Sequence, residues 1–427
     1  MTFAEWQQLA PDQAARELLR RAQALPTPQR QATIVRLPSV AELETRFTAA
    51  PHGSPLAGVP YFLKDLFDVA GEPTLAGSTF LTQVRPAPTT DSALVTTLRA
   101  AGAVLAGKAH LHEFAYGLTG ENPHYGDPEH PRFPGRISGG SSSGSAALVA
   151  GGVAPFAIGT DTAGSIRVPA SFCGLFALRL TPRHPWIADA FPLAPSFDTA
   201  GWFTATAADL QTATVALLGD HADVQPPRGV YLEPHGLQSD VAAACRGIAL
   251  TFGSPADHAT HEAWSAVMAS AAEHYSVLSS LEASAVHAAW AERFRDHYDP
   301  AVWHRLVRGK QWTPQQIDAA HAGAAAVRQW WTDFFRSYDF LVLPATPMPA
   351  LTKAQCTGEN RIRLLALATP VSLAGLPALT VPVQLRNGLT TGLQIVVPAT
   401  SSPALSWALD VCARSGWRGE RIKRRAS

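Results

Sequence analysis

Residues 136–174 read RISGGSSSGSAALVAGGVAPFAIGTDTAGSIRVPASFCG. This stretch contains two glycine- and serine-rich turns, at residues 139–145 and 160–165, with a run of small and apolar residues between them. No charged side chain occurs between Arg136 and Asp161, which predicts a buried segment, whereas a Gly/Ser-rich linker is flexible and solvated. Two serine-bearing turns around a buried segment indicate an active site that uses hydroxyl groups.

Helices and strands alternate around these turns. An amphipathic pattern predicts a helix over residues 91–101, and a run of small residues predicts a second helix over 143–152. Each is followed by a short strand, at residues 103–106 and 153–158. A third helix is predicted over residues 167–173. Such an alternation is typical of an α/β fold.

The remainder of the chain adds further elements of both kinds. Helical structure is predicted over residues 3–25, and residues 208–336 are predicted to be mostly helical, with breaks near Pro226, Pro300 and Pro314. Residues 185–206 are predicted to be rich in loops. The other predicted elements are a buried strand with a loop within residues 56–69, strands over 339–343, 378–383 and 391–396, a helix over 361–373 and a helix from Ser402.

Composition limits the classes of function. The chain has 427 residues, of which 46% are hydrophobic and 16% charged, as expected for a soluble globular protein. The net charge is zero, so nothing favours nucleic acid or an anionic membrane as a partner. The four cysteines are scattered without a C-x-x-C pair, and the N-terminus lacks the apolar core of a signal peptide. The apolar run at residues 146–159 is too short to span a membrane. We therefore expect a cytoplasmic protein.

A metal site is one alternative to hydroxyl chemistry. His110 and His112 form an H-x-H pair just after the strand predicted at residues 103–106, and two histidines at a strand end could be metal ligands. Such a site needs further histidine and aspartate ligands after other strands. The remaining histidines lie in helical or loop patterns without that context. No metal is therefore expected.

A serine hydroxyl needs a base to act as a nucleophile, and the glycine-serine turns allow several arrangements. Residues 140–144 match G-x-S-x-G, which would make Ser142 the nucleophile of an elbow, but that motif must follow a strand directly. Residues 131–138 read as a loop. A phosphate-binding loop would need a Gly-Lys-Ser/Thr ending, which is missing here.

The third arrangement uses a lysine as the base. Only five of the 34 basic residues are lysines, and Lys64 lies within the apolar segment LAGVPYFLKDLFDV at residues 56–69. Burial lowers the pKa of a lysine from about 10.4 toward neutrality, where its amine can accept a proton. Ser141 and Ser165 would supply two hydroxyls, one of which can relay a proton. The alternative is structural, with Lys64 paired to its neighbour Asp65.

The residues of this third arrangement resemble the amidase signature family of serine hydrolases. Ser141 and Ser165 are 24 positions apart, as the two catalytic serines of that family are. The resemblance covers roughly residues 55–205 and 335–415. Its motifs are Gly58–Asp65, Glu113–Gly117, Gly139–Gly144, Gly159–Pro169, Leu341–Pro344, Ala374–Pro377 and Gly392–Gln394. The phrase APSFDTAGW at residues 194–202 is similar to the branch that includes indoleacetamide hydrolases.

The resemblance implies a role for each site residue. Ser165 is the nucleophile, Ser141 follows a cis peptide bond and relays the proton, and Lys64 is the base. The backbone N–H groups of Thr162, Ala163, Gly164 and Ser165 form the oxyanion hole. Ala163 stands where many members have glycine, which adds a methyl group but keeps the N–H. The implied reaction cleaves a carboxamide C–N bond through an acyl-enzyme, without metal or cofactor.

The resemblance also implies the architecture and the partners. The expected fold is α/β, with a large central twisted mixed sheet covered by helices on both faces. One domain over residues 1–427 would comprise a helical lead-in (1–55), a catalytic core (56–205), a variable helical region (206–336) and a return to the core (337–427). The substrate is a small amide, and a homodimer or a partner subunit is left open. The alternatives are an amidotransferase A-type subunit that supplies ammonia to a partner, and a non-catalytic binding module, which the intact triad disfavours.

Overall fold

Eleven strands form one mixed sheet in the computed structural model, which describes residues 1–221 and 225–414. The strands are β1 (Ile34–Arg36), β2 (Pro60–Lys64), β3 (Val104–Ala109), β4 (Phe156–Thr160), β5 (Phe176–Arg179), β6 (Ala200–Thr204), β7 (Gly229–Tyr231), β8 (Ser254–Pro255), β9 (Phe340–Pro344), β10 (Ala378–Gln384) and β11 (Thr390–Val396). Their order in the sheet is β1-β3-β2-β4-β6-β5-β10-β11-β9-β7-β8. The sheet thus joins segments from both ends of the chain.

Fifteen α-helices accompany this sheet within the described residues. They are α1 (Phe3–Gln7), α2 (Pro11–Ala24), α3 (Thr27–Thr33), α4 (Val40–Thr48), α5 (Ala93–Ala100), α6 (Ser143–Ala150), α7 (Arg167–Cys173), α8 (Ala207–Leu218), α9 (Ser239–Ala249), α10 (His258–Met268), α11 (Ala271–His287), α12 (Pro300–Arg308), α13 (Pro314–Phe334), α14 (Gly358–Ala374) and α15 (Pro403–Arg414). The predicted α/β fold is confirmed. Among the described helices, none is both long and apolar enough to cross a membrane.

Strand β2 lies in the interior of the sheet, where it pairs in parallel with both β3 and β4. All five of its residues are buried, which explains why its sequence is continuously apolar instead of alternating. Phe62 packs in a cluster with residues of α2, α4 and α6, whereas Tyr61 and Leu63 pack in a cluster with residues of α8, α9 and α15. Helices therefore cover both faces of the sheet at this point.

The parallel pairing decides where the functional residues meet. Strands β2, β3 and β4 run in the same direction, so their carboxyl ends lie at one edge of the sheet. Lys64 ends β2, and Thr160 ends β4. The second glycine-serine turn, residues 160–165, begins at that same edge and leads into α7.

Most predicted elements are present, and the differences have physical reasons. The helical stretch at residues 3–25 is divided into α1 and α2, because Pro11 begins the second helix and Ala10 before it is extended. Pro300 and Pro314 likewise occupy the first turns of α12 and α13. Within the region predicted to be mostly helical, the two short strands β7 and β8 were not predicted.

Strands β5 and β6 were also not predicted, and β6 lies within the residues expected to be loop. The two strands pair antiparallel and lie in the middle of the sheet. A Cβ atom on Gly201 would lie only 2.0 Å from the carbonyl oxygen of Leu178, so the close approach of β6 to β5 requires a glycine there. A glycine that lets two backbones approach looks like a turn residue when only the sequence is read.

Candidate active site

Lys64 is fully buried at the end of β2 and is surrounded by hydroxyl groups. Its Nζ donates hydrogen bonds to the Oγ of Ser141 at 2.7 Å and to the Oγ of Ser142 at 3.0 Å. A third bond, of 2.7 Å, goes to Thr160 Oγ1 at the end of β4. The predicted contact between Lys64 and Ser141 is therefore present.

The environment of Lys64 favours the neutral amine. Burial lowers its pKa to about 7, although the negative charges of Asp198 and Asp161 raise it in part. No described carboxylate lies within ion-pair distance of its Nζ. Asp65 forms an ion pair with Lys108 at 2.5 Å instead, which removes the structural alternative that paired it with Lys64. A neutral amine has two N–H groups, so in that form one of the three contacts reverses and a hydroxyl donates to Nζ. The amine can then accept a proton near neutral pH.

Ser141 follows a cis peptide bond from Gly140, as the resemblance implied. Its carbonyl oxygen accepts a hydrogen bond of 3.1 Å from the N–H of His112. A Cβ atom on Gly140 would lie 2.5 Å from the backbone nitrogen of Gly120, so only glycine fits before the serine. These contacts hold the first turn against the loop that follows β3.

Ser142 has no elbow geometry. It precedes α6, and the residues immediately before it form no strand. Its Oγ donates to the carbonyl oxygen of Thr160 at 3.1 Å and accepts from the N–H of the same residue at 3.2 Å. Both bonds attach the hydroxyl to β4, so Ser142 links the two turns structurally.

Ser165 lies at the end of the second turn, and its carbonyl oxygen accepts a hydrogen bond of 3.3 Å from the N–H of Ser142. It lines a cavity together with Thr162 and Ala163. No hydrogen bond joins its hydroxyl to that of Ser141 or to any other residue that the structure describes. The two serine turns are therefore adjacent, and Ser165 carries a hydroxyl without a described hydrogen-bond partner at the cavity wall.

The second turn is wrapped around the carboxylate of Asp161. Oδ1 accepts from the N–H of Gly164 at 2.7 Å, and Oδ2 accepts from the N–H of Ile166 at 3.1 Å. Gly164 was predicted as an oxyanion donor, but its N–H is used within the turn. The N–H groups of Thr162, Ala163 and Ser165 donate to no described residue, so these three stay open.

Two buried arginines neutralise Asp161. Arg167 and Arg179 form ion pairs with its Oδ1 at 3.0 and 2.7 Å, and all three side chains are fully buried. Burial alone would raise the pKa of Asp161, but the two guanidinium groups hold it well below its usual range. The carboxylate is therefore charged at neutral pH, where it can hold the N–H groups of the turn.

Asp198 is a further carboxylate that the sequence did not assign. It is buried, accepts a hydrogen bond of 2.6 Å from Thr162 Oγ1, and accepts two more from the N–H groups of Leu193 and Ala194. Burial raises its pKa to about 6. The available signal was the phrase APSFDTAGW, in which this aspartate is the only acidic residue. Its contact with Thr162 connects the loop after β5 to the second turn.

The histidines of the H-x-H pair are both buried beside this site. His110 stacks on the ring of Tyr125 with centroids 4.2 Å apart, and burial lowers the pKa of both imidazoles. Across residues 1–221 and 225–414 no group of three histidine, cysteine, aspartate or glutamate side chains is placed to hold a metal ion. The pair supports the wall of the site.

Comparison with known proteins shows the family to which this chain belongs. The sequence profile of the Amidase family matches residues 15–291 and 253–405. The chain belongs to the amidase family. AtzE of Pseudomonas sp. (strain ADP), which is named as a 1-carboxybiuret hydrolase subunit, is 33% identical to this amidase over 401 residues. The match covers 85% of this chain and 83% of that protein.

Other relatives of the amidase carry different names. The A-type subunit of the glutamyl-tRNA(Gln) amidotransferase of Synechococcus sp. (strain RCC307) is 32% identical, with 82% of each chain covered. The indoleacetamide hydrolase of Pseudomonas savastanoi is 42% identical over 199 residues, covering 46% of this chain and 43% of that protein. A crystal structure of an amidase, 29% identical, superimposes with a TM-score of 0.80 over 96% of both chains. The chain is thus an amidase that hydrolyses carboxamide C–N bonds.

Proposed function

We propose that this amidase works through a Ser165–Ser141–Lys64 triad and a covalent acyl-enzyme. The observation that carries the proposal is the buried contact of 2.7 Å between Lys64 Nζ and Ser141 Oγ. A lysine whose pKa lies at about 7 can take a proton from a serine hydroxyl, whereas an ordinary lysine is protonated. Ser141 then stands between the base and the nucleophile, which is Ser165.

In the first half-reaction, Ser165 Oγ attacks the amide carbonyl carbon and gives its proton to Ser141 Oγ, across a hydrogen bond that forms when substrate binds. Ser141 passes its own proton to the neutral Lys64 amine in the same transfer. The negative charge on the carbonyl oxygen is held by the open N–H groups of Thr162, Ala163 and Ser165. The C–N bond then breaks, and the leaving nitrogen takes the proton back from Lys64 through Ser141.

In the second half-reaction, water attacks the acyl carbon and its proton passes through Ser141 to Lys64. Collapse of this tetrahedral intermediate breaks the ester bond and returns the proton to Ser165. The products are a carboxylic acid and ammonia or an amine. Every proton transfer uses groups of this chain, so the proposal needs no metal or cofactor.

Point variants test the triad. Ammonia release from a panel of aliphatic, aromatic and urea-like amides identifies a working substrate for the purified protein. Replacement of Ser165, Ser141 or Lys64 by alanine should then lower kcat by about 10³-fold or more. Ser145→Ala is the matched control, because its buried Oγ bonds to the carbonyl oxygen of Ile158 and lies outside the Lys64 network. Near-normal turnover in S165A or K64A would contradict the proposal.

The acyl-enzyme has a separate test. Hydroxylamine competes with water for an acyl group on Ser165, so its addition should divert product from the acid to the hydroxamate. Mass spectrometry of denatured protein after rapid quenching should find the acyl group on the peptide that contains Ser165. If the acid forms at an unchanged rate with no hydroxamate, then direct attack by water replaces the covalent route.

A second candidate is an amidase that works with a partner protein. Two relatives that match over 83% and 82% of their own length are named as subunits, one of 1-carboxybiuret hydrolase and one of a glutamyl-tRNA(Gln) amidotransferase. In this second candidate the chain would supply ammonia to a partner. Purified chain alone should hydrolyse simple amides if the first candidate holds. Activity that appears only when a co-purifying protein is added would favour the second, and mass photometry would show whether the isolated chain forms a homodimer.

A further inference from the structure

The cavity beside Ser165 contains an arginine that has no partner. Arg361, in the first turns of α14, lines this cavity together with Tyr116 and Tyr275. Its Nε is buried and makes no hydrogen bond, and its guanidinium bonds to no described residue. Arg361 is partly buried, and this burial lowers its pKa. A buried guanidinium nitrogen without a hydrogen bond is unusual, since buried polar atoms are normally hydrogen-bonded.

The neighbouring charges do not neutralise it. Arg305, on α12, lies close enough for Arg361 to depress its pKa, which burial and this repulsion lower to about 10. Arg305 donates to the carbonyl oxygen of Tyr116, and its guanidinium lies 6.0 Å from the centroid of the Tyr116 ring. Arg308 stacks on Trp312 at 4.6 Å. None of these three arginines forms an ion pair with an acidic residue in the described part of the chain.

This cluster, defined as Arg305, Arg308 and Arg361, has the electrostatics of an anion site. Arg361 lines the cavity, and the charges of Arg305 and Arg308 lie close enough to interact with it unfavourably, so an anion bound at Arg361 would reduce this repulsion. The open Nε of Arg361 together with its neighbouring Nη forms a planar fork, which matches the two oxygens of a carboxylate. The tyrosines in the wall are neutral, because burial raises the pKa of Tyr116 to about 12.

We propose that the preferred substrates of this amidase are amides that also carry a carboxylate, which binds to Arg361 while the amide carbonyl lies at Ser165. This inference rests on the proposed function, because it takes the Ser165 side of the cavity as the place of reaction. Arg361 is then a residue that determines specificity, and the other two arginines strengthen the local positive potential. A neutral amide of the same length would leave the guanidinium without a partner.

Kinetics with matched substrate pairs test this inference. Malonamate, succinamate and glutaramate are compared with propionamide, butyramide and valeramide, in which a methyl group replaces the carboxylate. For at least one pair we expect kcat/KM to be about tenfold or more higher for the carboxylated amide. Arg361→Gln should bring the ratio of kcat/KM for the carboxylated amide to kcat/KM for its neutral partner down to about one. A wild-type preference for all three neutral amides would overturn the inference.

The control variant is Arg363→Gln, on the same helix. The Arg363 guanidinium donates to Asn360 Oδ1 and to the carbonyl oxygen of Gly236, away from the cavity. It should keep the carboxylate preference. Arg361→Lys keeps the charge without the fork, and we expect part of the preference to survive. Thermal unfolding of each variant confirms that the protein folds.

A binding measurement separates this inference from the triad assignment. Isothermal titration of malonate, succinate and glutarate into Ser165→Ala needs no turnover, so it reports on the anion site even if Ser165 is not the nucleophile. At least one dicarboxylate should bind, and binding should weaken about tenfold or more when Arg361→Gln is added. Failure of all three to bind, or equal binding with and without Arg361, would overturn the anion site. Full activity of S165A with binding intact would contradict the triad alone.

Discussion

Asp65 forms its ion pair with Lys108, at 2.5 Å, and not with Lys64, its neighbour in the chain. Successive side chains of an extended strand point in opposite directions, so the pleat separates the two residues. Asp65 is further held by the N–H of Leu75 at 2.9 Å. Lys108 thus neutralises the carboxylate of Asp65, and Lys64 is left without an ion-pair partner among the described residues.

Replacing Lys108 by methionine should leave Asp65 as a buried carboxyl without a cation. The expected loss of unfolding free energy is about 3–5 kcal/mol, because both side chains are almost fully buried. The double variant Asp65→Asn with Lys108→Met should be more stable than Lys108→Met alone. Denaturant titration measures both, and equal stability of the single and double variants would show that the pair is not coupled.

The rate should depend on pH through Lys64. The amine must be neutral to accept a proton, and burial lowers its pKa to about 7. We therefore expect kcat/KM to fall as the pH decreases through about 7 and to level off above it. A profile that is flat between pH 6 and 8 would show that another group is the base.

Asp161→Asn tests the second turn. The neutral amide would leave the buried guanidiniums of Arg167 and Arg179 without their counter-ion, at a cost of about 3–5 kcal/mol, and kcat should fall with it. Asp209→Asn is the control, since Asp209 is a buried carboxylate that bonds to the N–H of Phe3, away from the site. If both variants lose activity in proportion to stability, then Asp161 has no specific effect on the turn.

Two glycines should respond oppositely to alanine. A Cβ on Gly140 would lie 2.5 Å from the nitrogen of Gly120, so Gly140→Ala should displace Ser141 and reduce kcat strongly. Gly247 lies inside α9 with no atom within 4 Å of a built Cβ, and Gly247→Ala should stabilise the protein by about 0.5–1 kcal/mol. Thermal unfolding and activity measured on both variants check the contrast.

The sequence predicted the parts of the site that depend on local pattern. The apolar run around Lys64 indicated a buried lysine, and the two turns indicated adjacent hydroxyls. The sequence could not show that Asp65 turns toward Lys108, because Lys108 is 43 positions away and only the pairing of β2 with β3 brings them together. The same limit applies to Arg361, whose approach to Ser165 depends on the packing of α14.

For the fold, too, only the elements with a clear local pattern could be predicted. Helices α5 and α7 could be read from periodicity and glycine stops, whereas β5 and β6 could not. Gly201 allows β6 to pass the backbone of Leu178, and a glycine of this kind carries no strand signal. The use of the Gly164 N–H within the turn was equally invisible, since it depends on where one carboxylate oxygen of Asp161 lies.

The contacts of Arg167 should make formation of the active site depend on how much of the chain has been translated. Beside Asp161, its guanidinium binds the carbonyl oxygen of Ala368, the hydroxyl of Ser372 and the amide oxygen of Gln394, all about 200 or more positions further along the chain. A ribosome-bound chain that has the complete triad but has not reached Gln394 must leave this buried cation partly unsatisfied. We therefore expect the nascent enzyme to be inactive until nearly all of the chain has been translated.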